Sequence, residues 1–552
     1  MKTDNKTSKK TTTKKVKSSP AILTGPNTKK SETKIVISSV DELMMFSDEY
    51  DWDEEINAQD FPFMTFDDKT KQEVKSVLDS NETAKNEVKE EYKMFSLFET
   101  LFDHFDLLKG CSKTKSSTLR TILIQLLSHR IKGPKSILGT MKSIEKEEQD
   151  VFSKNSYYRS LEYLAKNSHI LLKNLNDKIS EKYERNISVM WFDSTTAYFE
   201  SFTRTGLKMP GYSKDGKTKE DQIVIAMATD ENGIPIHYKC FPGNTPDQKT
   251  FIPFLEELAS IYEIKNITIV GDKGMNNAEN IRFLESNGWN YVFAYRLKAT
   301  KKEIKNAITN SDDYTQLNDN LKYKIIDLKP ANGDSQDAAS TKRLVVVHSE
   351  ERARKDRHDR EVLINNFTKK MDKKGVVTQE KLMGAKKCRY YKAVDKTTYY
   401  ILDQEKILED EKYDGFFVYI TNRFDLSILE IMEIYTKQWK IESNFRTLKS
   451  TLELRPIYLS KYEHILGYLC LCFVSLVFLR FILHWMNDEL VAQGLEKITE
   501  QKLVEIVNDV KSIKEIVNNM VVQEIDFVNK GTKSSWIIYE KVLAWASKKG
   551  MI

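Results

Sequence analysis

The chain has 552 residues, of which 40% are apolar and 11% aromatic, and a formal net charge of +5. That length admits three or four domains, or one large enzyme with insertions, and the apolar content suffices for a substantial core. The small net charge hides segregation. Residues 1–34 carry ten Lys against Asp4 and Glu32, whereas residues 41–68 carry eleven Asp and Glu and no Lys or Arg. The remainder is mildly basic, which permits a polyanionic partner without demanding one. The five cysteines (Cys111, Cys240, Cys388, Cys470, Cys472) form no C-x-x-C pair. Their odd number, and a Lys-rich start with no apolar stretch behind it, point to a reducing cytoplasm. The eight His are dispersed, without H-E-x-x-H or a Cys/His cluster, so a zinc site is not expected.

In chain order, residues 1–34 read as a basic disordered tail, too poor in apolar side chains to fold. Residues 35–90 read as an acidic, poorly structured segment for interaction with solvent or partners. Residues 91–180 are helical in pattern, with helices expected at Met94–Leu108, Ser117–Arg130 and Tyr157–Ile179. The breaks between them are basic, so a DNA-end-binding module and a plain bundle are both open.

From residue 187 the pattern becomes α/β. Strands are expected at Ile187–Phe192 (ending at Asp193), Gln222–Ala228, Ile236–Cys240, Asn266–Val270 (followed by GDKGM) and Tyr291–Tyr295. Helices are expected at Phe251–Ile261 and Asn276–Asn287. The first three strands suit an antiparallel meander, and the later ones require crossovers. Residues 181–299 thus form the first part of an α/β core. Residues 300–412 (LKYKIIDL, RLVVVH, TTYYILD, and a charged helix from Ser349) read as a β-rich insertion. The core resumes over 413–485 with GFFVYIT. Ile465–Leu479 is apolar for fifteen residues, short of the roughly 20 that span a membrane, so a buried core helix is expected, with Cys470 and Cys472 as packing residues. Residues 486–552 read as helical.

The segment YTKQWKIESNFRTLK reads as one two-faced helix. Ile434, Ile441, Phe445, Leu448 and Leu452 make an apolar stripe. Tyr435, Gln438, Glu442, Arg446 and Lys449 share a second face. Trp439 is expected to pack. Asp193 and Asp272 each follow an apolar strand, where a carboxylate must be paired, capped or metal-bound. Taken singly, each suits an ordinary turn. Taken with Glu442, they form a set of oxygen ligands suited to magnesium and to in-line phosphoryl transfer.

At this point the chain resembles the DDE transposases of bacterial insertion sequences. It is most similar to the insertion-sequence-four type, whose third carboxylate lies in a Y-x-x-R-x-x-x-E-x-x-x-x-x-x-K helix. Tyr435, Glu442 and Lys449 match three signature positions, and Gln438 stands where the family has Arg. Asp193 and Asp272 match the first two acidic positions, and GYSKDGKTKEDQ, GNTPD and DGFFVYITN add to the likeness. The resemblance implies an RNase H-like core interrupted by a β-rich insertion, with an N-terminal helical DNA-binding module. It implies that Asp193, Asp272 and Glu442 are catalytic and bind two Mg2+ or Mn2+ ions, and that Tyr435, Gln438, Arg446 and Lys449 contact DNA, Arg446 being best placed to replace the missing Arg. The implied activity is metal-dependent strand cleavage and strand transfer at the element's own terminal inverted repeats. The expected setting is a homodimer on paired double-stranded DNA ends, nucleoid-associated in a bacterial cytoplasm, with no membrane. The alternative is a catalytically inactive DNA-binding remnant acting as a repressor or structural binder.

Overall fold

The computed structural model describes residues 21–23, 34–36, 86–111, 116–147, 151–200, 206–212, 216, 220–262, 266–328, 341–379, 381, 389–394, 399–517, 520–528 and 533–548. The basic tail and the acidic segment lie outside the described residues, apart from the paired strands β1 (Ala21–Leu23) and β2 (Lys34–Val36) and the start of β3 (Asn86–Tyr92). Cys388 also lies outside them. The chain divides into two compact units: residues 1–106, 113–160 and 481–552 form one, and residues 107–112 and 161–480 the other.

The helical pattern after residue 91 resolves into α1 (Lys93–His104), α2 (Ser116–Lys132), α3 (Ile137–Lys146) and α4 (Lys154–Tyr183). In α1, Met94, Leu97, Phe98, Leu101 and Phe102 recur at helical spacing and all are buried. Ser136 caps α3, its hydroxyl accepting from the Gly139 N–H at 3.2 Å.

The central unit is built on a mixed nine-stranded sheet. Its strands are β4 (Val189–Tyr198), β5 (Gln222–Thr229), β6 (Pro235–Pro242), β7 (Thr268–Gly271), β8 (Asn290–Ala294), β9 (Thr315–Gln316), β10 (Leu321–Leu328), β11 (Lys342–Ser349) and β15 (Phe416–Thr421), in the order β6-β5-β4-β7-β8-β15-β11-β10-β9. The expected meander is present: β4, β5 and β6 pair antiparallel in sequence order. β7 then lies parallel to β4, and β8 parallel to β7, through the crossover helices α5 (Asp247–Ile261) and α6 (Ala278–Ser286). Alternation along β4 sends Met190 and Phe192 into a core with Phe251, Phe254, Ile269, Leu284 and Phe293. Trp191 and Asp193 therefore point to the opposite face.

One expectation about β4 needs correction. The strand does not end at Asp193 but continues to Tyr198, and Ser194, Thr195, Thr196 and Ala197 are buried. A Ser-Thr-Thr run after an aspartate also suits a turn. Pairing with β5 as far as Tyr198↔Gln222 instead uses the β-branched preference of the threonines for the pleated surface.

Residues 300–412 are distributed between two sheets. After α7 (Lys302–Thr309), β9, β10 and β11 extend the main sheet, β11 pairing with β15 from Arg343↔Thr421 to His348↔Phe416. The helix α8 (Glu350–Thr368) follows, capped by the Ser349 hydroxyl. Then β12 (Val377–Thr378), β13 (Tyr391–Ala393) and β14 (Tyr399–Leu402) form a small sheet of order β12-β14-β13, followed by α9 (Gln404–Glu411). Phe367, Val377, Tyr390 and Ile407 give this part its own small core.

Beyond β15 come α10 (Ile428–Thr436), α11 (Trp439–Ser450) and α12 (Tyr462–Ala492). α12 is long and apolar enough to cross a membrane, yet 89% of its most apolar window is buried within the protein, as a core helix would be. Cys470 and Cys472 are buried in it. Residues 486–552 are not all helical as expected. Between α13 (Glu500–Asp509) and α14 (Lys533–Lys548), β16 (Val510–Val517) and β17 (Met520–Val528) form a hairpin that also pairs with β3. The alternation of apolar with charged residues in VKSIKEIV and VVQEIDFV has period two, and Ile513 and Phe527 face a small core.

Candidate active site

The 79-residue spacing between the two aspartates has a structural meaning. β4 and β7 pair parallel with Val189↔Thr268, Met190↔Ile269 and Trp191↔Val270, an offset of 79 at every pair. The last pair is Trp191↔Val270; β4 runs on through Asp193, whereas β7 ends at Gly271, so Asp272 opens the loop that leaves the strand next to β4, with neighbouring parallel strands about 4.8 Å apart. Both carboxylates are half-buried.

Each aspartate is held by its own backbone. Asp193 Oδ1 accepts from the Ser194 N–H at 2.7 Å, and Asp272 Oδ1 accepts from the Gly274 N–H at 2.6 Å. The Asp272 loop is gripped from both sides. Arg296, just after β8, donates Nε–H to the Lys273 carbonyl at 2.8 Å, and the buried Asn280 donates Nδ2–H to the Met275 carbonyl at 3.0 Å. Gly274 is required by close approach, since a Cβ there would meet Asp272 Oδ1 at 2.8 Å. Sequence reading missed Arg296 and Asn280; neither carries a local signal, because their partners are main-chain atoms more than one turn or a whole strand away.

The third carboxylate comes from the other direction. Ser427 and Glu430 form a capping box that starts α10, as the S-x-x-E spacing permits. The expected single helix is in fact two, and the cause is identifiable. In a continuous α-helix the Ile434 carbonyl accepts from the Gln438 N–H. Here it accepts from the Trp191 indole Nε1–H at 2.9 Å, and the Gln438 N–H turns to the Tyr435 carbonyl at 3.0 Å. The tightened turn continues through Lys440 and Ile441, and α11 then begins at Trp439. The contact with Trp191 fixes α10 on the face of β4 that carries Asp193.

The apolar stripe behaves as read: Ile441, Phe445, Leu448 and Leu452 are buried. The polar back of α11 is anchored as well. Buried Asn444 donates Nδ2–H to the Gly233 carbonyl at 2.9 Å and accepts from Arg480 Nε–H at 2.6 Å, while Arg480 also reaches the Ser443 and Thr447 hydroxyls. Lys440 donates to the Glu231 carbonyl, and burial lowers its pKa. These contacts leave Glu442 in the first turn of α11, exposed together with Arg446.

Tyr435 feels the charge of all three carboxylates. It is half-buried, its ring 4.9 Å from that of Tyr419. Burial pushes its phenol well above the usual value, and the negative charges of Asp272, Glu442 and Asp193 push it further. All three acids therefore lie within electrostatic reach of one hydroxyl. They do not close on one another: among the described residues, no three His, Cys, Asp or Glu side chains are placed to hold a metal ion. The donor chemistry nevertheless suits a hard divalent cation, since the groups around Tyr435 are carboxylates.

The remaining expected site residues are placed unequally. Arg446 is exposed and Lys449 half-buried on α11. Gln438 is only 8% exposed, at the turn between the two helices, which leaves it little surface for a phosphate. Lys437 pairs with Glu433 at 2.7 Å. Trp439, expected to pack, is 58% exposed, one helical turn before Glu442. The break at Gln438 turned it outward, and its sequence neighbours gave no warning of this.

Several solved structures are similar to the chain. A piggyBac transposase synaptic complex with hairpin DNA is 10% identical, with 75% of this chain and 79% of that one covered and a TM-score of 0.39. A Mos1 transposase paired-end complex with the left transposon end is 14% identical, with 46% and 72% covered and a TM-score of 0.14. A pre-cleavage Mos1 transpososome is 12% identical, with 45% and 70% covered and a TM-score of 0.15. No curated protein matches the sequence significantly. The profile of the transposase DDE domain matches residues 184–478, which hold β4, β7, α10 and α11 with all three carboxylates. That match spans more than half of the 552 residues, and the chain belongs to the DDE-domain transposase family.

Proposed function

We propose that the chain is an active transposase of a bacterial insertion sequence, with an RNase H-like core. In this reading it cleaves and rejoins DNA strands at the terminal inverted repeats of its own element by a cut-and-paste route. The observation that supports the reading is the match of the transposase DDE domain over residues 184–478, within which the adjacent parallel strands β4 and β7 lead to Asp193 and Asp272.

Asp193, Asp272 and Glu442 would hold the divalent metal, magnesium or manganese and two ions by the family resemblance. When bound, such ions supply Lewis acidity at the scissile phosphate. The chain's own residues supply position. Arg446 and Lys449, one and two turns beyond Glu442, place cations where the DNA backbone approaches. By the family resemblance, water and a freed 3′-hydroxyl are the attacking groups and no covalent enzyme–DNA link forms. Residues 91–180 bind the element ends, and two copies act on paired ends, in the bacterial cytoplasm beside the nucleoid.

The test is a supercoiled plasmid carrying the element and its flanks, incubated with purified protein and Mg2+ or Mn2+. Excision at both ends is expected, and Asp193→Ala, Asp272→Ala and Glu442→Ala should each abolish it while end binding survives. Binding without cutting by the native chain would instead support the inactive remnant, for which the enclosed Gln438 in place of the family Arg is the one favouring observation. Cutting without preference for the ends would make the chain a nuclease.

A further inference from the structure

A cleft of about 610 Å³ opens beside the Asp272 loop, between Lys273 and Arg296 on one side and α8, Arg389, Tyr390 and residues 410–414 on the other. Six cationic and four acidic side chains line it, so its charge is positive even where ion pairs form. The excess is not evenly spread. At the far end Arg360 pairs with Asp414, and Arg352 with Asp356 at 2.8 Å. In the middle Lys298 and Arg389 share the single carboxylate of Asp410. At the end next to Asp272, Lys273 and Arg296 are both exposed and neither has a carboxylate partner among the described residues. Arg296 donates Nε–H to the Lys273 carbonyl at 2.8 Å and Nη2–H to the Gly274 carbonyl at 3.4 Å, which fixes the guanidinium without a carboxylate partner among the described residues.

An uncompensated charge fixed beside a polyanion-processing site is what a phosphodiester backbone requires, because a planar guanidinium offers several donors to phosphate oxygens and an ammonium acts as a point charge. We propose that this cleft receives the sugar–phosphate backbone of the DNA strand leading away from the scissile phosphate, with Lys273 and Arg296 as phosphate contacts and Lys298 and Arg389 as the next cations along the path. The inference rests on the transposase reading and adds to it a strand path on the Asp272 side, opposite in origin to the Arg446 and Lys449 contacts on α11.

The experiment measures binding of the full chain to a short fluorescent duplex of arbitrary sequence over a series of salt concentrations. Lys273→Gln combined with Arg296→Gln should make the slope of log affinity against log salt shallower by about 1.8, at about 0.9 for each phosphate contact. Arg354→Gln, an exposed position on α8 that does not line the cleft, should leave the slope as it is. A second measurement needs no variant. Amine acylation of the native chain, read by mass spectrometry, should fall several-fold at Lys273 when duplex is added, while exposed Lys355 is labelled as before. An unchanged slope in the double variant, or equal labelling of Lys273 with and without duplex, overturns the inference. If native protein binds and cuts plasmid in that same case, the transposase reading stands and only the strand path falls. If native protein binds no DNA, both fall.

Discussion

Gly274→Ala is the most informative single change at this site. The Asp272 carboxylate receives the Gly274 N–H at 2.6 Å, and a Cβ at 274 would lie 2.8 Å from that same oxygen, inside the 3.4 Å at which ordinary contact begins. The overlap of about 0.6 Å must be relieved by the carboxylate or by the loop. The loop is poorly free to move, because Arg296 holds the Lys273 carbonyl and Asn280 the Met275 carbonyl. The carboxylate therefore swings, losing a charge-assisted hydrogen bond worth about 1.5–3 kcal/mol. A ligand displaced by such a distance lowers the rate by up to about 10²-fold. Nicking of a supercoiled plasmid carrying the element ends would measure that loss. Gly288→Ala is the matching control. Gly288 has φ +68° and open space where a Cβ would go, so the change costs about 1–2 kcal/mol of backbone strain far from the carboxylates. It should lower the urea midpoint and leave the nicking rate alone. If Gly274→Ala nicks at the native rate, Asp272 is either not constrained by its loop or not part of the chemistry.

Other outcomes follow from the same contacts. Arg446→Ala should weaken duplex binding and flatten its salt dependence by about 0.9, and an unchanged slope would remove Arg446 from the DNA interface. Arg185→Leu should destabilise the central unit by about 3–5 kcal/mol in urea unfolding, because the Arg185–Asp230 pair at 2.6 Å has both side chains fully buried and the change strands a carboxylate; a loss below 1 kcal/mol would contradict that account. Glu257 is raised by its burial but lowered further by His237 and Lys239, to about 2 from an ordinary 4.5. A depressed carboxyl stabilises above its unfolded value and loses that contribution as pH falls from about 4.5 toward 2. With its side chain 37% exposed, solvent screening reduces the effect to about 1 kcal/mol. Glu257→Gln should therefore be less stable than the native chain at pH 7 and equal to it near pH 2, as followed by urea unfolding.

Local pattern was enough for much of this molecule. Apolar runs placed β5, β6, β7 and β8 within two or three residues, and the 3.6-residue apolar stripe marked helix around Glu442. Asp193, Asp272 and Glu442 could be singled out as a set, because two acids after apolar runs and a third on a two-faced helix suit oxygen ligation better than three unrelated turns. What local pattern did not contain was the pairing of distant elements. The offset of 79 became a shared register only once β4 and β7 were seen to lie parallel. The helix break at Gln438 depends on an indole that arrives from 243 residues away to occupy the Ile434 carbonyl. The membership of β10 and β11 in the main sheet depends on their pairing chain through β15. Periodicity reports which face of an element is apolar; it carries no information about which partner covers that face, since the same alternation satisfies many neighbours. Partner choice is settled by the whole set of long-range contacts together, and in this protein that choice lays β4 parallel to β7 and seats α10 against Trp191 of β4.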